Sequence, residues 1–376
     1  MAGIYIHIPF CKQACHYCNF HFSTSLGQKD AMIEAIIHEI FLQKNYLNGQ
    51  KIDTIYFGGG TPSLLSAEEL TKIIDTIHQY FFINKNAEIT LEANPDDLTE
   101  TKIQSFKRHT PINRLSIGVQ SFSEDDLRYM NRAHNAEESK KCIQNAQNQG
   151  FENLTIDLIY GSPTTSNEQW LQNLETVFEL QIPHLSSYAL TVEPKTILDK
   201  HIQKGITHAP DEEKSAQQFQ ILMSQTAKNN FEHYEISNFA KNRQYARHNT
   251  AYWTGNSYLA LGPSAHSFDG RSRQWNISNN ALYIKSLAQN KVPFEIEILT
   301  SAQQYNEYVM TALRTMWGCD LKKIQSQFPS FESYFLQNIA IYVAQNNVFR
   351  ADDHFKLTPS GKLLADGIAS ALFFIE

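Results

Sequence analysis

The chain has 376 residues and a formal net charge of −7, too long for one ordinary core and, with no basic stripe, unlike a general nucleic-acid binder. Met1 to Phe10 lacks a basic stretch and a long apolar run, and nowhere do about 18 apolar residues follow one another. Neither a leader peptide nor a membrane span is expected, and the chain reads as cytoplasmic.

In chain order, six short apolar or β-branched runs read as strands: Ile4–Ile8, Ile52–Phe57, Glu88–Glu92, Arg114–Val119, Leu154–Tyr160 and His184–Leu190, several of them apolar on both faces. Helical patterns fill the gaps. Ile33, Ile36, Ile37, Ile40 and Phe41 share one stripe, and Ser66 with Glu69 forms a capping box. Further helices are expected over Thr99–His109, Glu137–Gln149, Asn167–Leu180 and Asp211–Asn229. Alternating strands and helices imply right-handed βαβ units and a parallel sheet, read here as a partial (β/α)6 TIM-like barrel over residues 1–230. Residues 231–299, rich in aromatics, Asn and Gly, read as an irregular connection. Residues 300–376 read as helices, a small hairpin and a last helix, a mainly helical, winged-helix-like domain.

Three of the five cysteines, Cys11, Cys15 and Cys18, lie in "HIPFCKQACHYCNF" behind the first strand. In a reducing compartment such a tight, odd-numbered cluster favours metal over disulfides, whereas Cys142 and Cys319 stand alone and read as small buried hydrophobes. Zinc would need a fourth ligand, which His7, His16 or His21 could supply. A 4Fe-4S cluster held by three thiolates would instead leave one iron open to a ligand.

The C-x-x-x-C-x-x-C spacing after a first strand resembles the radical S-adenosylmethionine (SAM) enzymes, and the fold is then expected to be of the radical SAM type. The resemblance implies that SAM chelates the open iron and is cleaved reductively to a 5'-deoxyadenosyl radical and methionine. "YFGGGTPS" alone marks only a turn without a phosphate-loop lysine. At the end of a strand, however, it sits where that family receives the SAM methionine end. Glu92, Gln120 and Asp157 lie at or near the ends of the third, fourth and fifth strands, and Arg132 follows in "MNRAH". Singly each reads as a satisfied core polar group; together they lie on the rim where barrel active sites assemble.

"YIHIPFC", "FGGGTP", "LSIGVQSF", "MNRAH" and "DLIYGSP" resemble the oxygen-independent coproporphyrinogen III oxidase-like branch over essentially the whole chain. By that resemblance Tyr5 and Tyr17 flank SAM or the cluster. Gly59, Gly60 and Thr61 hold the methionine end, and Glu92, Gln120, Arg132 and Asp157 contact the rest of SAM, Asp157 and Gln120 near the ribose. The decarboxylating oxidases continue their cluster loop to a fourth cysteine, where this chain has Phe20. The sister group of HemW-like haem chaperones carries Phe there and an H-N-x-x-Y-W signature, matched here by His248, Asn249, Tyr252 and Trp253.

The bland alternative for that string is a buried aromatic corner. The resemblance instead implies haem as cargo, with His248 as candidate axial ligand, Arg247, Arg271 and Arg273 for the propionates, and His266 beside SAM or haem. It further implies respiratory haemoproteins as acceptors, an electron donor to the cluster and no coproporphyrinogen oxidase activity, with a homodimer open. The alternatives are a true coproporphyrinogen III oxidase and a haem-degrading radical SAM methyltransferase.

Overall fold

The computed structural model describes residues 2–375. Strands β1 (Ala2–Ile8), β2 (Ile52–Gly59), β3 (Ile83–Ala93), β4 (Arg114–Gln120), β5 (Asn153–Tyr160) and β6 (His184–Ala189) pair in parallel and in chain order. Between them run α1 (Lys29–Leu42), α2 (Ala67–Tyr80), α3 (Glu100–His109), the short α4 (Glu124–Tyr129), α5 (Ala136–Asn148) and α6 (Asn167–Glu179); α7 (Ile197–Gln203) and α8 (Glu212–Lys228) follow β6. Helix starts are encoded locally. Reciprocal capping pairs Ser66 with Glu69, Asn135 with Glu138 and Ser166 with Gln169. The barrel is open, because β1 and β6 do not pair with each other.

The strands are not apolar on both faces, as expected of several of them; they alternate. Ile4, Ile6, Ile55, Phe57, Leu115 and Ile156 belong to the core shared with the helices, while Tyr5, Tyr56, Glu92, Arg114, Thr155 and Asp157 fill the inner side. There Arg114 Nη2 donates to Thr155 Oγ1, Thr155 Oγ1 is bonded to His184 Nδ1 at 3.0 Å, and His184 Nε2 to Tyr234 Oη at 2.7 Å. Both faces are buried, so composition alone reads as apolar; the inner face is a polar network.

The irregular connection expected over 231–299 is corrected. It supplies β7 (Glu232–Glu235), β8 (Asn238–Ala240), α9 (Arg247–Trp253), β9 (Ser257–Leu261), β10 (His266–Phe268), β11 (Ser272–Asn276), α10 (Asn280–Leu287) and β12 (Phe294–Ile298). β8 and β7 extend the sheet antiparallel beyond β6; β9 pairs parallel with β1, and β10 to β12 continue outward, giving 12 strands. These strands are short, and the two that join them to the barrel, β8 on β6 and β9 on β1, pair with partners far away in sequence, so no local pattern announces their place.

The C-terminal residues have their own core, including Tyr305, Val309, Ile324, Phe335 and Ile368. They form α11 (Ser301–Leu313), β13 (Cys319–Asp320), α12 (Leu321–Gln327), α13 (Glu332–Ala344), β14 (Val348–Ala351), β15 (His354–Leu357), α14 (Pro359–Lys362) and α15 (Ala365–Ala371), the strands ordered β13-β15-β14. This is the expected helix, hairpin and helix arrangement. Arg314 joins it to the barrel: its Nε donates to Glu235 at 3.1 Å, its Nη1 to Asp366 at 2.6 Å, and its guanidinium lies 5.2 Å from the Trp253 ring centre. Cys142 and Cys319 are both buried.

One carboxylate ties the outer strands to the barrel. Glu39 of α1 is fully buried and accepts from Gly262 N at 2.8 Å, Asn276 Nδ2 at 2.7 Å and Tyr283 Oη. Burial pushes its pKa up to about 7. The native state therefore holds a proton that the unfolded chain releases near pH 4.5; the associated stability is complete below that pH and is lost as pH rises through 7. In Glu39→Gln this slope should vanish. The test is the difference in Tm, wild type minus variant, which should fall between pH 5 and pH 8.

Candidate functional site

The cysteines occupy the loop that leaves β1, and two neighbours grip it. From one side, Gly60 N donates to Ile8 O at 2.9 Å and Thr61 N to Phe10 O at 2.7 Å. A Cβ on Gly60 would stand 2.6 Å from Phe10 O and 2.8 Å from Ile8 O, and Gly59 has φ +104 with a Cβ position 2.5 Å from the His7 ring. Both glycines are therefore needed for close backbone approach. From the other side, His16 N donates to Met130 O at 3.1 Å, Asn131 Nδ2 to Ala14 O at 2.8 Å, and Arg132 Nη1 to Cys15 Sγ at 3.1 Å.

Arg132 also donates through Nη2 to Asn94 Oδ1 at 2.6 Å and Gly118 O at 2.7 Å, and Asn94 Nδ2 reaches Thr61 Oγ1 at 3.2 Å. One hydrogen-bonded chain thus links Cys15 to the glycine turn. The Cys11 thiol is pushed up to about 11 by burial, with the charges of Cys18 and Cys15 adding to it. Three thiols gathered in one loop beside a buried guanidinium suit an iron-sulfur cluster, which would take them as thiolates. Arg132 Nε, buried with no partner among the described residues, is a donor left over for such a group.

Of the histidines proposed to complete a zinc site, only His7 has both ring nitrogens bonded, and among the described residues no three His, Cys, Asp or Glu side chains come together to hold a single metal ion. His7 Nδ1 is bonded to Tyr5 Oη at 3.3 Å and its Nε2 to His21 O at 2.9 Å, while burial lowers its pKa to about 4. His16 Nδ1 is bonded to Tyr129 O at 3.0 Å and His21 Nε2 to Asn280 Oδ1 at 2.8 Å.

Beneath the loop, Tyr56 Oη donates to Glu92 Oε1 at 2.6 Å. Desolvation raises Glu92 to about 7 and Asp157 to about 6, and among the described residues neither makes an ion pair. Gln120 stands at a β-bulge with φ +68, a left-handed conformation that costs a residue with a Cβ roughly 1–2 kcal/mol and re-aims the side chain at a functional rim. Tyr17 lies close enough to Arg132, Cys15, Cys18 and Asp157 to feel their charges, and burial raises its pKa. Cys11, Cys15, Cys18, Tyr5, Tyr17, Gly59, Gly60, Thr61, Glu92, Gln120, Arg132 and Asp157 thus belong to one region.

His248 does not join them as a free ligand. It is 1% exposed, with Nδ1 bonded to Thr54 Oγ1 at 2.8 Å and Nε2 to Tyr252 Oη at 2.7 Å. A Cβ on Gly3 would touch its ring, which places it at the starting ends of β1 and β2, behind the stacked rings of Tyr5 and Tyr56. Burial lowers its pKa to about 3. The expectation of His248 as an available iron ligand is corrected: both nitrogens are used and no open space faces them. The propionate arginines are corrected likewise. Arg273 makes a two-pronged pair with Glu307 at 2.6 and 2.8 Å, and Arg247 Nη1 donates to Asn86 O at 2.7 Å. Arg271 is exposed near the β10–β11 hairpin, at the opposite end of β10 from His266.

His266 is exposed at the start of β10. With Phe20, His21, Tyr252 and Tyr258 it lines a cavity of about 500 Å³ alongside the cysteine loop.

The Radical SAM superfamily profile matches residues 5–177. "Heme chaperone HemW" of Bacillus subtilis is 32% identical over 99% of both chains, and its namesake in Lactococcus lactis 32% identical over 97% of this chain and 95% of that one. This chain belongs to the HemW family of radical SAM proteins. The solved Escherichia coli coproporphyrinogen III oxidase HemN is similar with a TM-score of 0.85 and 23% identity, covering 99% of this chain and 90% of that one, which establishes a shared fold. Membership of the radical SAM family implies a 4Fe-4S cluster and SAM, and the donor set described above fits both. Among the described residues no helix is long and apolar enough to cross a membrane.

Several residues of this HemW-family site carry no distinctive sequence signal. Asn94 and Asn131 are recognisable afterwards from their place behind β3 and beside Arg132. Glu88, whose carboxylate accepts from Arg247 N at 3.2 Å and His248 N at 3.1 Å, caps α9 from 160 residues away and is invisible locally. The glycine turn yields a direct test. Gly60→Ala puts a methyl against two backbone oxygens and should destabilise the protein by about 2 kcal/mol or more. Urea unfolding should show this, and anaerobic reconstitution should incorporate less iron.

Proposed function

We propose that the chain is a haem carrier bearing a SAM-liganded 4Fe-4S cluster on Cys11, Cys15 and Cys18, and that it passes haem to acceptor haemoproteins, respiratory ones among them. The observation that carries the reading is Phe20: where a fourth thiol would stand, the loop ends in an aromatic side chain 68% exposed beside an aromatic-lined cavity. The full-length likeness to proteins named haem chaperones supports it. SAM would lie between the glycine turn and the inner face, with Gly59, Gly60 and Thr61 at its methionine end and Glu92, Gln120 and Asp157 further in. Tyr5 and Tyr17 bound the space, and Arg132 holds Cys15 in place. When bound, the cluster supplies one-electron reduction of SAM; the acceptor and the electron donor lie outside this chain.

Two unpaired carboxyls that keep their protons are suited to a cationic ligand, because the positive charge of SAM stabilises their ionised forms. Below their pKa values of about 7 and about 6 binding must expel protons, so affinity falls with falling pH. SAM titration of reconstituted protein should give a Kd that weakens from pH 8 to pH 6, and Glu92→Gln should remove most of that dependence.

The main reading is tested by offering both substrates. Reconstituted protein given SAM, dithionite and coproporphyrinogen III should yield no protoporphyrinogen, and titration with haem should show binding in the micromolar range, on the order of 8 kcal/mol. Protoporphyrinogen formation would overturn the carrier reading in favour of the oxidase.

A further inference from the structure

The geometry points to an iron-tetrapyrrole site between the cysteine loop and the β9–β10 turn, in which His266 is the axial ligand and His248 is only a positioning residue. This rests on the haem-carrier reading and says where that reading is realised. An axial ligand needs an imidazole nitrogen with a free lone pair facing open space. Of the histidines in or behind this cavity, His7 and His248 have both ring nitrogens bonded, and His21 has one, Nε2, tied to Asn280 with Nδ1 left over, whereas His266 has neither tied. His266 is exposed at the cavity margin, and among the described residues neither of its ring nitrogens is hydrogen-bonded.

The support of His266 is stiff. Its ring is stacked on Trp275, centres 6.1 Å apart and planes 23° from parallel. The turn before it contains Gly262, with φ +103 and a Cβ position 2.5 Å from His7 O, and Glu39 holds that turn through Gly262 N. A ligand on so fixed a turn needs little ordering when it binds. Near it Phe20 exposes an aromatic ring that water covers poorly and a porphyrin face would cover well. The cavity of about 500 Å³ is otherwise walled by Tyr252 and Tyr258, packed edge to face at 4.5 Å.

The H-N-x-x-Y-W string then has a physical account that does not need His248 to touch iron. His248 Nε2 is bonded to Tyr252 Oη at 2.7 Å, and the two rings meet edge to face at 4.9 Å. The histidine sets the position of a wall of the cavity. Trp253 in turn carries Arg314 on its face.

The experiment is haem titration of the reconstituted full-length protein with absorption and electron paramagnetic resonance spectra. Wild type should show imidazole ligation. His266→Ala should lose that signature and weaken binding about tenfold or more, added imidazole restoring the signature. Phe20→Ser should weaken binding with the signature kept. His248→Gln, which can still bond Tyr252, should keep the signature, and so should any folded fraction of His248→Ala. Should His266→Ala keep the wild-type spectrum while His248→Gln loses it, the assignment is overturned and the carrier reading stands. Absence of haem binding by the wild type would overturn the carrier reading itself.

Discussion

The N–H groups of Gly60 and Thr61 donate to the carbonyls of Ile8 and Phe10, so the turn after the second strand is hydrogen-bonded to the chain just as it leaves the first. No side chain fits between these two backbones, and the glycines are there to permit the approach. The cysteine loop consequently starts from a fixed corner instead of a free hinge. The segment 130–132 fixes its other side, with Arg132 placing a positive charge on one thiol. A site for a group that must be held within reach of a second ligand depends on such pre-set geometry.

Below that corner the barrel is unusual in what it buries. Tyrosines, carboxyls, an arginine and histidines occupy its inner face, and each is tolerated because it is bonded to another or waits for a ligand of opposite charge. Arg114, Thr155, His184 and Tyr234 form one hydrogen-bonded chain, with Arg114 Nε and Nη1 left over. Glu92 and Asp157, which make no ion pair among the described residues, lie on the side toward the cysteines. This division separates structural polarity at the starting ends of the strands from functional polarity at their finishing ends, as expected of barrel folds generally.

The six barrel strands, the longer helices between them and the Ser66–Glu69 capping box were legible in the sequence because each is specified by residues within one turn or one strand of it. The cysteine loop stood out for a similar reason: its three thiols lie within eight residues of one another. What was not legible depended on distance. β9 joins the barrel by pairing with β1, some 250 residues earlier, and α9 begins on Glu88 of another strand. His248 was recognisable as a special residue, but not which end of the strands it occupies, and that end decides whether it can reach a ligand. Glu39 did leave a trace. An acid inside the apolar stretch "AIIHEIF" is out of place on a packed helix face unless something meets it, and here three donors do.

The seven-residue helix α9 is pinned at both ends by other parts of the chain. Glu88 takes its first amide groups, and Arg314, itself braced by Glu235 and Asp366, lies over its last residue. The C-terminal domain is thus mechanically continuous with a wall of the cavity through Trp253 and its neighbour Tyr252. A protein that grasped the C-terminal domain and tilted it would pull on that wall. The cavity wall can thus be moved from a distance, with nothing entering the cavity itself.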